Sequence, residues 1–216
     1  MRALLVALGL ALVLAGSAVA DHLDPQERIR AADQARAKAM LLRQSDLAGF
    51  QRQPASEADP HLTCAALDES DLTVTGDAEA PSWALSVVFV TSSSTVYASR
   101  ADASTSWRRG TSAAGMRCLR VELGGEFARQ GARVVSLRRV PFPAVAQRSA
   151  AYRLTLAGTS QGRTFNAFVD FVVLGQERAL AALVMGSALV PPDRQAEIRL
   201  ARTIAGRMAK AMRGAS

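Results

Sequence analysis

In two stretches between residues 150 and 174 apolar side chains recur at every second position. The runs 150–159 and 163–174 alternate, and a third run, 178–186, follows the turn Leu174-Gly175-Gln176-Glu177. Alternation with a period of two belongs to a strand with one buried face. Strands joined by turns this short lie antiparallel to each other. This half of the chain therefore predicts a meander on which the rest must pack. A further strand over 133–140 precedes it and is stopped by Pro141-Phe142-Pro143.

The turn between the first two runs predicts a register. With Gln161-Gly162 as a two-residue loop, Ser160 faces Arg163. Tyr152 then faces Phe171, Leu154 faces Val169 and Leu156 faces Ala167, all on one side of the sheet. The same register puts Arg153 opposite Asp170 on the other side. Asp170 interrupts an apolar run, and this places a cation across from it. The reading is a structural ion pair rather than a catalytic acid.

The first half is less regular. Asp24-Pro25-Gln26-Glu27 predicts a helix start, with Asp24 as cap and Pro25 at the first helical position. That helix is expected to run to about residue 44 and, being mostly alanine on its inward side, to lie at the periphery. Residues 51–70 read as irregular. A short strand over 72–75 is expected to end at Gly76. Residues 83–99 read as two strand pieces around a kink or an edge at the five hydroxyls Thr91-Ser92-Ser93-Ser94-Thr95. Ser99 and Asp102 form a capping box that opens a helix, with Trp107 as its expected buried anchor. Met116, Leu119, Leu123 and Phe127 make a helical stripe, weakened at Gly124-Gly125. Pro191-Pro192-Asp193 starts a last helix that reaches Met212. The fold class is α+β: a twisted antiparallel sheet packed between N-terminal, middle and C-terminal helices.

Residues 1–20 read as a secretory signal peptide. Met1-Arg2 is a positive start, residues 3–14 are apolar, and Ala18-Val19-Ala20 offers a small-residue exit with cleavage between Ala20 and Asp21. Residues 21–216 then form one extracytoplasmic domain. No cysteine follows the apolar run to carry a lipid, and no later segment is apolar enough to span a bilayer. Cys64 and Cys118 are the only cysteines, and outside the reducing cytosol two thiols in one domain are expected to be oxidised together. A metal site has too few ligands, since only His61 lies near Cys64 and the other histidine is His22. A nucleophilic cysteine lacks a neighbouring base.

The chain carries a net charge of +7, almost all of it from arginine, with lysine only at Lys38 and Lys210. Export and the absence of a basic-aromatic cluster argue against nucleic acid as a partner. Arg199, Arg202, Arg207 and Lys210 line one face of the last helix, opposite Leu200, Ile204 and Met208. They read as a solvated face or as a contact for an anionic membrane or wall surface. Gly158-Thr159-Ser160-Gln161-Gly162 matches the G-x-S-x-G hydrolase elbow, but a strand follows it and no histidine lies beyond His61. No catalytic residue, metal or cofactor is expected.

Four stretches carry a family resemblance. They are "LLRQSDL" at 41–47, "VVFVTSSSTVYASRADASTSWRRG" at 87–110, "MRCL" at 116–119 and "LARTIAGRMAKAM" at 200–212. Together they resemble the extracellular sensor domains of mycobacterial membrane kinases of the PknH type, and related actinobacterial secreted proteins. The resemblance implies a PsbP-like layout, a Cys64–Cys118 disulfide and a ligand cleft beside the sheet. The chain departs from that family in lacking a second disulfide, a lipid-anchor cysteine and a kinase or membrane segment. The functional expectation is a secreted non-enzymatic domain that binds a small or apolar ligand, or an envelope protein. The alternatives are an envelope adaptor docking through its arginines and, more remotely, an enzyme of unknown type.

Overall fold

In the second half, strands β6 (Ala132–Val140), β7 (Arg148–Ser160), β8 (Arg163–Gln176) and β9 (Ala179–Ala188) form an antiparallel meander. The computed structural model describes residues 23–54, 64–160 and 163–213. Ala20, Asp21, His22, His61 and the loop pair Gln161-Gly162 lie outside the described residues, as does the side chain of Ser160. The β7–β8 ladder pairs Ser160 with Arg163, Tyr152 with Phe171, Leu154 with Val169 and Arg153 with Asp170. The paired order continues through β5 (Val88–Tyr97) and β3 (Thr73–Glu79) to β1 (Gln26–Glu27), giving β1-β3-β5-β9-β8-β7-β6. Strand β4 (Trp83–Leu85) bridges β5 and β2 (Gln51–Arg52). Among the described residues four α-helices complete the fold: α1 (Ala31–Met40), α2 (Arg100–Thr111), α3 (Ala113–Arg129) and α4 (Arg194–Ala211).

The sheet is mixed rather than purely antiparallel, because β1 runs parallel to β3. Residues 24–30 are therefore not helical, which corrects the first predicted element. Their backbone N–H groups have better partners on the edge of β3: Gln26 donates to Leu72 at 2.9 Å, Arg28 to Val74 at 2.8 Å and Arg30 to Thr75 at 2.8 Å. Helix α1 begins only after that edge is satisfied.

Nor is α1 peripheral. Ala37 and Met40 are fully buried, while Ile29 in the preceding segment is exposed. The alanines let the helix backbone come close to the sheet. The hydroxyl run explains how it is held there. Residues 91–95 lie inside β5, which is one unkinked strand paired on both sides. Ser94 Oγ donates to the Ala37 carbonyl at 2.7 Å, and Ser92 Oγ accepts the Leu42 N–H at 3.0 Å. These hydroxyls satisfy backbone groups at the end of α1 that would otherwise be buried without partners.

Gly76 lies within β3, not at its end. A Cβ there would collide with the backbone of Asp33 and Gln34 in α1. Gly76→Ala is expected to destabilise the fold by about 1–3 kcal/mol, the usual range for overpacking. An unchanged urea midpoint would show that α1 is not seated on β3 as described.

Ser99 caps α2 by accepting the Asp102 N–H at 3.0 Å, and Ser112 caps α3 through Gly115 at 2.9 Å. Ala103 and Ser106 are the buried residues of α2. Trp107 is only half-buried, contrary to its expected role as the anchor. Helix α3 continues through Gly124-Gly125 without a break, because Leu123 and Phe127 are locked into the core.

The core has two main parts, one on each face of the sheet. On the first face α1 and α4 cover Val90, Val96, Val172, Leu174 and Leu183. On the second face Leu123 and Phe127 of α3 cover Leu154, Leu156, Val169 and Val184. Helix α2 crosses one end of that second face, where Ala103 packs with Leu72, Val74 and Tyr97.

Candidate functional site

Cys64 and Cys118 are disulfide-bonded, with α-carbons 6.0 Å apart. The bond ties the short 3₁₀ turn Ala65–Leu67 to the middle of α3. Arg153 and Asp170 face each other across β7 and β8. Arg153 Nε donates to Asp170 Oδ1 at 2.7 Å and Nη2 to Oδ2 at 2.5 Å. Asp170 has no solvent exposure.

Asp170 has a second acidic neighbour that sequence reasoning overlooked. Glu197, in the first turn of α4, is also fully buried. Arg194 Nη1 donates to its Oε2 at 2.9 Å and stacks over the Phe142 ring at 4.6 Å. Oε1 of Glu197 meets no N–H or O–H donor, and the carboxyl lies within hydrogen-bond reach of Asp170. Two carboxylates cannot hydrogen-bond without a proton between them. Burial first, and then the Asp170 carboxylate, push Glu197 up to about 8. The protonated form of Glu197 is therefore favoured at neutral pH. A sequence signal existed: Glu197 shares one helix stripe with Ala201, Ile204 and Met208, spaced four, three and four residues apart.

This proton makes stability pH-dependent. Glu197 ionises near its ordinary 4.5 when unfolded and near 8 when folded. The folded chain therefore holds a proton that the unfolded chain has lost between those values. The contribution is complete below 4.5 and is lost as pH rises through 8. Glu79, which burial pushes up to about 7, acts in the same direction. Glu197→Gln keeps a donor for Asp170 but cannot ionise. Its urea midpoint is expected to decline less than wild type between pH 5 and 9; equal slopes would refute the protonated Glu197.

A second buried cluster ties α1 to the β8–β9 turn. Arg178 donates to Asp33 through Nη1 at 3.0 Å and Nη2 at 2.7 Å, and Thr75 adds a bond at 2.7 Å. Burial opposes the charge on Asp33, but Arg178, Thr75 and Arg36 outweigh it and hold the carboxyl well below the usual range. Both clusters pair buried carboxylates with arginines, and this arrangement serves packing. Among the described residues no three His, Cys, Asp or Glu side chains are grouped to hold a metal. No helix of the described residues is long and apolar enough to cross a membrane.

On the last helix Arg199, Arg202 and Lys210 are exposed, and Ile204 and Met208 are buried. Leu200 is only partly buried. Arg207 departs from the expected face. It turns inward, donating to both carboxylate oxygens of Asp46 at 2.7 and 2.8 Å and to the Leu41 carbonyl at 2.6 Å. Asp46 lies in a 3₁₀ turn beyond α1 (Gln44–Asp46) and attracts the guanidinium across the helix boundary. Arg207 is therefore a structural tie, not a surface contact.

The second face of the sheet carries a different feature. Strands β8 and β9 are central, and their first-face residues Val172, Leu174, Ala181 and Leu183 are buried. On the second face Phe171, Val173 and Ala182 keep partial exposure. They lie between the rows covered by α2 and those covered by α3, two helices that meet at Ser112. Polar groups border the strip. Tyr152 donates its hydroxyl to the Thr111 carbonyl at 3.1 Å. Arg148, opposite Gly175 on the same face, lies 5.4 Å from the centroid of the Trp107 ring. Sequence alternation identified this face but could not reveal where the helices leave it open.

No family profile and no curated protein matches the chain. Among solved structures, that of PA94, a Pseudomonas aeruginosa protein of unknown function, shows 15% identity and a TM-score of 0.21. The match covers 64% of this chain and 82% of that one. A likeness at this level carries no argument.

Proposed function

We propose that this chain is an exported, non-enzymatic binding domain, with residues 1–20 as its signal peptide. Its ligand or partner rests on the second face of the sheet, between α2 and α3. The observation that carries the reading is the partial exposure of Phe171, Val173 and Ala182 at the centre of a sheet whose first-face residues Val172, Leu174, Ala181 and Leu183 are buried. Binding sites are typically apolar surfaces with a few placed polar groups, and Tyr152, Trp107 and Arg148 supply those here. The disulfide suits an oxidising compartment. The PsbP-like layout and the kinship with actinobacterial sensor domains belong to the same proposal.

The test is native mass spectrometry of protein recovered from its own host. Wild type is expected to retain a bound mass that Phe171→Glu loses while staying folded. A bare mass for wild type, or the same adduct on both proteins, would contradict the reading. The exposed Arg199, Arg202 and Lys210 favour a second role, docking on an anionic envelope surface. That binding would weaken steeply with ionic strength, whereas binding to the apolar strip would not.

A further inference from the structure

Arg148 is the exception among the partly buried arginines. Seven arginines of the described residues fall in that class: Arg36, Arg109, Arg148, Arg153, Arg178, Arg194 and Arg207. Six of them form ion pairs with Asp or Glu at 2.5–2.9 Å. Arg148 has no such partner among the described residues. Its Nη1 reaches Ser104 Oγ at 3.2 Å and its Nη2 reaches the Glu177 carbonyl at 3.4 Å, both long and both to neutral groups. The Glu177 carboxylate itself is engaged by Arg100 and Gln147. Desolvation lowers the Arg148 pKa, and no neighbouring acid offsets it.

A guanidinium in this state is desolvated and uncompensated, yet held in place. Trp107 stacks on it, and its stem runs over Gly175, where a Cβ would meet Nε at 2.6 Å. A planar fork of donors with a fixed orientation suits a carboxylate. Its position along the sheet matters as much. Arg148, Ala150 and Tyr152 lie on one face of β7, opposite Gly175, Val173 and Phe171. At about 3.4 Å per residue, the partly exposed Val173 lies about 7 Å from the Arg148 row, and Phe171 about 14 Å. Arg139, opposite Tyr152 and exposed, adds positive charge at the same border.

We infer that the second face takes an acyl chain ending in a carboxylate, with the chain on Val173, Phe171 and Ala182 and the carboxylate on Arg148. The inference rests on the proposed binding face and names the chemistry that this face would select.

Calorimetric titration with dodecanoate and with dodecanol, both below their aggregation limits, tests it. Wild type is expected to bind dodecanoate at least about tenfold more tightly than dodecanol, as a charge-assisted hydrogen bond implies. Arg148→Met, which keeps the stem over Gly175, is expected to remove that preference. Arg148→Lys is expected to restore part of it. Equal binding of the two probes by wild type would overturn the role of Arg148 while leaving the apolar face intact as a site. Binding of neither probe would overturn both. Because the probe preference is measured on wild type, the test survives even if Arg148→Met fails to fold.

Discussion

Arg153→Ala is expected to cost about 3–5 kcal/mol of folding stability, the penalty for stranding a buried charge. Asp170 is wholly enclosed, and among the described residues Arg153 is the only cation bonded to it. Arg194 offers no replacement, since its guanidinium is spent on Glu197. Asp170→Ala removes the stranded charge, so the double variant is expected to be much less unstable than the two single losses added together. A double-mutant cycle by urea denaturation reads this coupling. Additive losses would mean that the two side chains do not act on each other, and the ion-pair reading would fall.

Replacing both cysteines by serine is expected to cost about 4 kcal/mol, from the entropy of a closed loop of roughly 55 residues in the unfolded chain. The loop contains β3, β4, β5 and α2, so an open chain has much more to gather. Cys64 anchors the Ala65–Leu67 turn against α3, where Leu67 packs beside Gly115. Treatment of wild type with reductant is expected to give the same lowered midpoint. An unchanged midpoint in both experiments would show that the bridge contributes nothing to the fold.

The parts legible in advance were those set by local pattern. Alternation over 150–159 and 163–174 located two strands and the run 178–186 a third, and a two-residue loop at 161–162 set a register that brings Arg153 to Asp170. Ser99 and Asp193 each announced a helix start through cap chemistry that needs only neighbours in sequence. What was missed depends on partners far along the chain. The two residues of β1 are too few to show a period, and they are extended only because β3 offers them acceptors. The hydroxyl run looked like a weakness in a strand, but it is where α1 is fastened. Arg207 followed its helical wheel until Asp46, from a distant turn, drew it inward. Glu197 needed the first-face contact of α4 with β8 before its proximity to Asp170 had meaning.

The candidate binding face shows the same division. Alternation placed Phe171, Val173 and Tyr152 on one side of the sheet, and the structure extends that strand to Arg148. Whether that side is sealed depends on the angle between α2 and α3, which no periodicity encodes. Likewise, an arginine is unremarkable in a chain with 26 basic residues. Arg148 becomes informative only when its six part-buried counterparts are seen to have acids and it does not.

The most direct test of the account is a map of which face binds. In a heteronuclear NMR titration with dodecanoate, the largest amide shifts are expected at Phe171, Val173 and Ala182, with the Trp107 indole. The buried residues of the first face, Val172 and Leu183 among them, are expected to shift less. Shifts confined to Arg199, Arg202 and Lys210 on α4, or no shifts at saturating dodecanoate, would contradict it.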